Sequence, residues 1–259
     1  MPTYSHSRLE TFEQCKLKYK YKYIDKIEPD IPKSIEAHLG TVVHETLEWL
    51  YKKVMEKIIP SITEVIDFYS EKWSESFSKD FLIVKKEMKI EDYFQRGVEF
   101  LINYYLKHNP FTDNTIATEC KIEIDLDKEG EKKLIGYIDR LVHNLEKDEI
   151  EVHDYKTSAS VLSKDKIENS RQLALYSLAM KEKFGKDKKV SMNWHFLAHD
   201  MKISISRTNE QLEQLRKTVI ELIDEVEKTK NFTASKSRLC DWCEYKNICD
   251  KECKNKTLF

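Results

Sequence analysis

The chain has 259 residues, of which 40% are hydrophobic and 35% are charged, so it can bury the core of one large globular domain. Its 44 lysines and arginines nearly balance 46 aspartates and glutamates, so the net charge argues neither for nor against nucleic acid, and any basic surface must be local. The first residues lack an apolar signal core, and no stretch approaches the ~20 apolar residues of a membrane span. We therefore expect a cytoplasmic protein without a membrane partner.

The first third of the chain carries only helical patterns. Ser7 and Glu10 have the spacing of a capping box, which predicts a helix that begins at Arg8 and runs into the low twenties. Apolar residues at helical spacing predict three further helices, over residues 37–57, 61–81 and 90–108. We expect residues 36–110 to form the helical part of the protein.

From Thr115 onward the pattern changes to strands interrupted by helices. Alternating aliphatic residues predict strands over residues 115–126, 134–142, 149–156, 190–198 and 202–206. Apolar periodicity predicts helices over residues 168–184 and 209–228. We therefore predict an α/β core over residues 115–230, within a single domain that spans residues 1–259.

Two of the predicted strands form a hairpin that carries charged residues. Gly136-Tyr-Ile-Asp139 lies on the first strand, and Asp154-Tyr155-Lys156 lies at the end of the second. Because side chains alternate along a strand, Asp154 and Lys156 project to the same side and leave the Tyr155 carbonyl near the same edge. Two carboxylates and a lysine are the minimum for metal-assisted cleavage of a phosphodiester, although a solvated strand pair could carry the same pattern.

Two further motifs lie on predicted helices. In Gly40-x-x-x-His44 a histidine stands near the start of an amphipathic helix, and in Gln172-x-x-x-Tyr176 two side chains stand one helical turn apart. Each motif alone would also suit ordinary structure.

The order and spacing of these motifs resemble the RecB-like branch of the PD-(D/E)XK nuclease superfamily. The matching segments are Ser5-x-Ser7-x-Leu9-x-x-Phe12-x-x-Cys15, Gly40-x-x-x-His44, Gly136-x-Ile-Asp139-Arg140, Asp154-x-Lys156-Thr157 and Gln172-x-x-x-Tyr176. The resemblance runs from about residue 5 to residue 253. It implies a restriction-endonuclease-like core, in which helices flank a central mixed sheet, with an N-terminal helical insertion.

The resemblance also implies a divalent metal site. Its ligands would be His44, Asp139, Asp154 and the carbonyl of Tyr155. Lys156 would be the catalytic lysine beside the catalytic carboxylates of Asp139 and Asp154, and Gln172 and Tyr176 would support the site or the DNA. The ion would be Mn²⁺ or Mg²⁺, and an imidazole ligand predicts that Mn²⁺ supports activity at least as well as Mg²⁺.

Two features of this site stay open. Lys156 could orient or deprotonate the attacking water, or stabilise the oxygens of the transition state. Glu119, on the strand before the hairpin, could support a second ion or bridge to a lysine, or could be an ordinary exposed residue.

The last twenty residues contain four of the six cysteines. Cys240, Cys243 and Cys249 form a C-x2-C-x5-C pattern, which either Cys15 or Cys253 could complete to four thiolates for iron–sulfur or zinc. This arrangement resembles the AddB and CRISPR-adaptation nucleases, which hold a 4Fe–4S cluster. The resemblance implies that Cys15 is the fourth ligand.

Such a cluster would act as a clamp. It would bind the tail, residues 239–253, to Cys15 and so tie the two ends of the fold together. Cys120 lies in a predicted strand and is expected to be an ordinary buried thiol.

Residues 16–23 interleave four lysines with three tyrosines. This mixture suits contacts with backbone phosphates and stacking on unpaired bases, or a solvated helix whose tyrosines pack inward. Arg8, Lys16 and Arg140 are the candidates for phosphate contacts.

Together these patterns predict a metal-dependent DNA nuclease with a structural iron–sulfur cluster. We expect an exonuclease that acts on single-stranded DNA ends in DNA repair or recombination. The alternatives are a CRISPR-adaptation nuclease that trims DNA before integration, and a non-catalytic iron–sulfur scaffold subunit that binds DNA. The chain has no G-x-x-x-x-G-K-[ST] motif, so unwinding would need a helicase partner.

Overall fold

The computed structural model describes residues 3–31, 33–161, 163, 166–167 and 170–256. Of residues 173 and 252–256 it describes the backbone only, so the side chain of Cys253 lies outside the description. The predicted start of a helix at residue 168 also falls outside it.

A mixed sheet of six strands organises the chain. The strands are β1 (Thr3–Ser5), β2 (Thr115–Asp125), β3 (Lys133–Asn144), β4 (Glu149–Lys156), β5 (Lys189–Phe196) and β6 (Met201–Ser206). Their order is β1-β3-β4-β5-β6, with β2 on the other edge of β3. β1 is parallel to β3 and β4 is parallel to β5, whereas the other pairs are antiparallel. The five predicted strands are confirmed, and β1 is too short for an alternating pattern to show.

Helices flank this sheet. They are α1 (His6–Gln14), α2 (Lys16–Tyr19), α3 (Ile35–Met55), α4 (Ile62–Glu75), α5 (Ile90–His108), α6 (Arg171–Phe184), α7 (Asn209–Lys228) and α8 (Lys246–Lys256). A π-helical turn covers Lys20–Ile24, and 3₁₀ turns cover Leu197–His199 and Arg238–Trp242. The α/β class, with a mixed sheet between helices, is confirmed.

The N-terminal helix differs from its prediction. It begins at His6 and is capped by Ser5, whose hydroxyl accepts from the Arg8 N–H at 3.1 Å, so Ser7 is not the cap. The helix stops at Cys15, whose backbone is extended, and Cys15 Sγ then accepts from the Lys18 N–H at 3.5 Å to cap α2. A single helix into the low twenties is therefore wrong, because Cys15 interrupts it.

Two hydrophobic cores lie against the sheet. The first joins the sheet to α1, α6 and α7 through fully buried side chains such as Leu9, Val152, Leu175 and Ile223. The second lies inside the helical insertion formed by α3, α4 and α5, and Tyr155 of β4 enters it. Tyr155 thus connects the predicted hairpin to the insertion. Among the helices in the described ranges, none has the length and apolar character to cross a membrane.

Two histidines near this second core, the half-buried His108 and the buried His195, predict a loss of stability in acid. Burial, followed by the charge of Arg140, lowers the pKa of His108 to about 4, and burial also lowers the pKa of His195 well below its usual value. The unfolded chain takes up these protons near pH ~6.5 and the folded chain does not. The free energy of unfolding should therefore fall as the pH drops below ~6.5, by up to about 1.4 kcal/mol per pH unit for each such group.

Urea denaturation between pH 6.5 and pH 5 measures this effect. His195→Gln should reduce the pH dependence, because it removes a buried histidine whose pKa is lowered. A free energy of unfolding that stays constant over this range would contradict the prediction.

Candidate active site

The site lies at a gap along one edge of β3, which we call the edge notch (residues 136–139). β1 pairs with β3 as far as Ile135, and β4 pairs with the same edge only from Asn144 to Arg140. Residues 136–139 have neither strand beside them on this edge. The backbone groups of the edge notch are therefore free to contact side chains, and Asp139 lies within it.

Asp139 meets His44 and the backbone of Tyr155. The Asp139 carboxylate accepts from the Tyr155 N–H at 2.8 Å and lies 3.4 Å from His44 Nδ1. His44 donates from Nε2 to the Tyr155 carbonyl at 2.9 Å. A Cβ at Gly40 would stand 3.2 Å from Thr157 Oγ1, so a glycine here allows α3 to bring His44 close to the end of β4. In this arrangement the Tyr155 carbonyl orients His44, and its predicted role as a direct ligand stays a prediction.

Glu119 joins this group from β2. Ligand atoms of His44, Glu119 and Asp139 all lie within 4.8 Å of one another. Thr118 and Cys120 pair with Arg140 and Ile138 in the β2–β3 register, which places Glu119 across from Asp139. The backbone of Glu119 has a φ of +45°, which is uncommon for a residue other than glycine. The spacing of the sequence motifs does not single out Glu119. Only its position on β2, across from Asp139 on β3, identifies it.

The electrostatics of the group favour a cation. Glu119 is an exposed residue, but partial burial of its carboxyl group, followed by the charges of Asp139 and Glu48, raises its pKa. Burial alone would lower the pKa of His44, but Asp139 outweighs this effect and raises it to about 9. One imidazole and two carboxylates form a donor set that suits Mn²⁺ and other divalent ions, so these residues fit the implied metal.

Asp154 and Lys156 form the second half of the site. Asp154 is 5% exposed, and its carboxylate lies 2.6 Å from Lys156 Nζ. Gln172 contacts both, because its Nε2 donates to Asp154 at 3.1 Å and its Oε1 accepts from Lys156 at 3.2 Å. Gln172 Nε2 also donates to the Tyr176 hydroxyl, which donates to the Tyr137 carbonyl in the edge notch at 2.8 Å. The first turns of α6 thus fix the Asp154–Lys156 pair against β3.

Burial raises the pKa of Asp154, and the charge of Lys156 opposes this shift. The predicted ligand Asp154 is therefore bonded to Lys156 here, beside the group of His44, Glu119 and Asp139. Gly136 completes the arrangement, since a Cβ at that position would lie 2.9 Å from the Tyr176 ring.

The three residues predicted to contact phosphate all have partners within the protein. Arg140 is 0% exposed, with its guanidinium bonded to Asp113 at 2.5 Å, so its prediction as a phosphate contact is wrong. Arg140 is buried in a polar layer and therefore cannot reach a phosphate. Arg8 donates to the Tyr19 hydroxyl, and Lys16 pairs with Glu225 at 2.7 Å.

The tyrosines that alternate with lysines also face the interior. Tyr19 is 2% exposed and Tyr21 is 1% exposed, and both pack in hydrophobic clusters. Residues 16–23 therefore match a solvated helical segment with inward tyrosines, the second of the two interpretations.

The cysteines line a cavity of about 190 Å³. Cys15, Cys240, Cys243 and Cys249 all contribute to its wall. Backbone N–H groups of Lys18 and Ser235 each donate to Cys15 Sγ at 3.5 Å, and the Ser237 N–H donates to Cys240 Sγ at 3.4 Å. Burial raises the pKa of the Cys243 thiol. Cys120 lies apart from the cavity and packs, partly buried, against the sheet core.

The solved structures that this chain resembles include the following two. The chain resembles a candidate exonuclease from Eubacterium rectale, with 12% identity and a TM-score of 0.55 over 96% of this chain and 87% of that one. It also matches a protein named SSO0001, with 16% identity and a TM-score of 0.39 over 82% of this chain and 94% of that one. At 12% identity the first likeness concerns the fold. No match is found among curated protein sequences.

The family comparison covers nearly the whole chain. Residues 3–250 match the PD-(D/E)XK nuclease superfamily. The matched range includes the edge notch, the Asp154–Lys156 pair and the three cysteines of the C-x2-C-x5-C pattern. The chain therefore belongs to the PD-(D/E)XK nuclease superfamily.

Proposed function

We propose that this protein is a metal-dependent deoxyribonuclease of the RecB-like branch that degrades single-stranded DNA from its ends. The observation that supports it most is the juxtaposition of two halves of one site. His44, Glu119 and Asp139 form a cation-favouring group, and the pair of buried Asp154 and half-buried Lys156 stands next to it. DNA repair or recombination would be the setting, with duplex unwinding left to a separate helicase.

Each residue would have a defined part in the reaction. His44, Glu119 and Asp139 would hold the ion, with Asp154 and the Tyr155 carbonyl as the further predicted ligands. When bound, a divalent ion lowers the pKa of its water toward neutrality and offsets charge on the phosphate.

Lys156 would act on the substrate, held in place by neighbouring side chains. Lys156 would donate hydrogen bonds to the negative charge that develops on the phosphate oxygens, or orient the water. Gln172 would keep Lys156 and Asp154 in place, with Tyr176 behind it.

End-labelled substrates test this function. Native protein with Mn²⁺ should shorten linear single-stranded DNA progressively, and chelation of the metal should stop the reaction. Circular single-stranded DNA, which has no ends, should resist. Single-stranded RNA of the same sequence should be cut more slowly. Absence of cleavage of any substrate would contradict the proposal and favour the scaffold function.

The imidazole ligand predicts the metal preference. Because His44 is a softer ligand than oxygen, we expect the cleavage rate with Mn²⁺ to equal or exceed the rate with Mg²⁺. Initial rates at saturating concentrations of each ion measure this. A rate with Mg²⁺ that greatly exceeds the rate with Mn²⁺ would argue against His44 as a ligand.

We further propose that the cysteine cavity binds a 4Fe–4S cluster through Cys15, Cys240, Cys243 and Cys249. All four thiols line one cavity, as either an iron–sulfur or a zinc site would require, and the resemblance to the AddB and CRISPR-adaptation nucleases favours the cluster. Backbone N–H groups directed at Cys15 and Cys240 would stabilise thiolates, as in iron–sulfur proteins.

A further inference from the structure

A buried polar layer separates the hairpin from the helical insertion. It contains side chains that alternate along β4 with the site residues: His153 precedes Asp154, and Tyr155 stands between Asp154 and Lys156. His153 and Tyr155 are 2% and 3% exposed. Arg140, which follows Asp139 directly, enters the same layer. These side chains thus hold the backbone of the site from the face of β4 opposite to the site residues.

The peptide groups of Tyr155 contact two residues of the proposed metal site. Its N–H donates to Asp139 at 2.8 Å, and its carbonyl accepts from His44 at 2.9 Å. Any rotation of this segment would move both partners. A hydrogen bond from a ligating histidine to a carbonyl commonly sets the orientation of the ring toward its metal.

The side chain of Tyr155 is held through Tyr104 of α5. The two hydroxyls lie 3.2 Å apart, and the two rings meet edge to face with centroids 5.5 Å apart. The Tyr104 hydroxyl also lies 2.7 Å from the hydroxyl of Tyr51. Tyr51 and His44 are both on α3, seven residues and therefore about two turns apart. Tyr104 consequently joins the helix that carries His44 to the strand that carries Tyr155.

Arg140 fixes the other end of the layer. Its guanidinium stacks 3.9 Å from the centre of the Tyr51 ring and donates to Thr115 at 3.1 Å. The guanidinium also donates to His153 Nδ1 at 2.9 Å, so this nitrogen is an acceptor. His195 Nε2 lies 2.8 Å from the same nitrogen and must therefore donate to it as well. These contacts define one arrangement of the layer.

We infer that Tyr104 is a positioning residue, which fixes the Tyr155 peptide groups that hold Asp139 and His44 in place. The Tyr104 hydroxyl contacts none of the side chains that are proposed to bind the metal. It nevertheless lies where α3, α5 and β4 meet. The inference rests on the proposed function, because it assigns Tyr104 a part in binding the metal of that same site.

A neighbouring tyrosine supplies a matched control. Tyr105 is also buried, and its hydroxyl donates to the Pro60 carbonyl within the helical insertion at 2.8 Å. Tyr104→Phe and Tyr105→Phe each remove one buried, hydrogen-bonded hydroxyl from α5. A general loss of packing or stability would affect both variants alike.

Calorimetric titration with Mn²⁺ and hydrogen exchange at the Tyr155 amide test the inference. Tyr104→Phe should weaken Mn²⁺ binding at least about tenfold and speed exchange of the Tyr155 amide, while Tyr105→Phe stays within about twofold of native protein. Tyr155→Phe removes the other hydroxyl of the same contact. The double variant of Tyr104→Phe and Tyr155→Phe should therefore bind Mn²⁺ no more weakly than either single variant.

Native affinity in Tyr104→Phe, or equal losses in Tyr104→Phe and Tyr105→Phe, would overturn the inference and leave the proposed function intact. Failure of native protein to bind Mn²⁺ at all would overturn both.

Discussion

Replacement of Lys156 by alanine should lower the rate of DNA cleavage at least about a thousandfold. The ammonium lies 2.6 Å from the Asp154 carboxylate and 3.2 Å from Gln172, so it is held in the site before any substrate arrives. Alanine removes the hydrogen-bond donor without changing His44, Glu119 or Asp139. Single-turnover cleavage of end-labelled single-stranded DNA with Mn²⁺ measures the loss.

The variant should keep its metal. Because Lys156 neutralises Asp154, its removal should leave Mn²⁺ binding equal to that of native protein or tighter. Lys183→Ala, an exposed lysine near the far end of α6, is the matched control and should cleave at the native rate. Cleavage by Lys156→Ala at the native rate would remove Lys156 from the mechanism.

Replacement of Cys15 by alanine should remove the iron and destabilise the whole protein. Cys15 lies roughly 225 residues before Cys240, and the cluster would close that long loop. A covalent cross-link over a loop of more than ~100 residues contributes about 4–5 kcal/mol in the chain-entropy model. For a chain of this size a loss of that order lowers Tm by about 10 °C or more.

Iron analysis, visible absorbance and thermal denaturation of protein prepared without oxygen measure this effect. Cys120→Ala is the control, since Cys120 packs against the sheet core away from the cavity, and it should retain the iron and the brown colour. Native protein that is colourless and carries one zinc per chain would contradict the cluster.

The sequence predicts the long elements well because each carries many periodic residues. The predicted helices over 90–108 and 209–228 match α5 and α7, and the predicted strand over 149–156 matches β4. Shorter or interrupted elements escape this kind of reasoning. Nothing in the local pattern around Cys15 breaks a helix; the extended backbone there places the thiol in a cavity built partly from the distant tail.

The site residues also fall into two kinds, those that a sequence motif identifies and those that only the fold brings together. Motif order places His44 and Asp139 in one site although 95 positions separate them, and the structure brings their side chains to 3.4 Å. Glu119 has no comparable motif, since only strand register sets it opposite Asp139. From the sequence Arg140 is a candidate phosphate contact, whereas Asp113 and Tyr51, both distant in sequence, enclose it.

A divalent ion should bind where His44, Glu119 and Asp139 meet, beside the Asp154–Lys156 pair. A crystal soaked in Mn²⁺ and measured at the manganese absorption edge locates the ion directly. We predict an anomalous difference peak within ~2.0–2.3 Å of a His44 nitrogen and an Asp139 oxygen, and its loss in Asp139→Asn. A strong peak at any other place in the molecule, with none in contact with Asp139, would contradict the account.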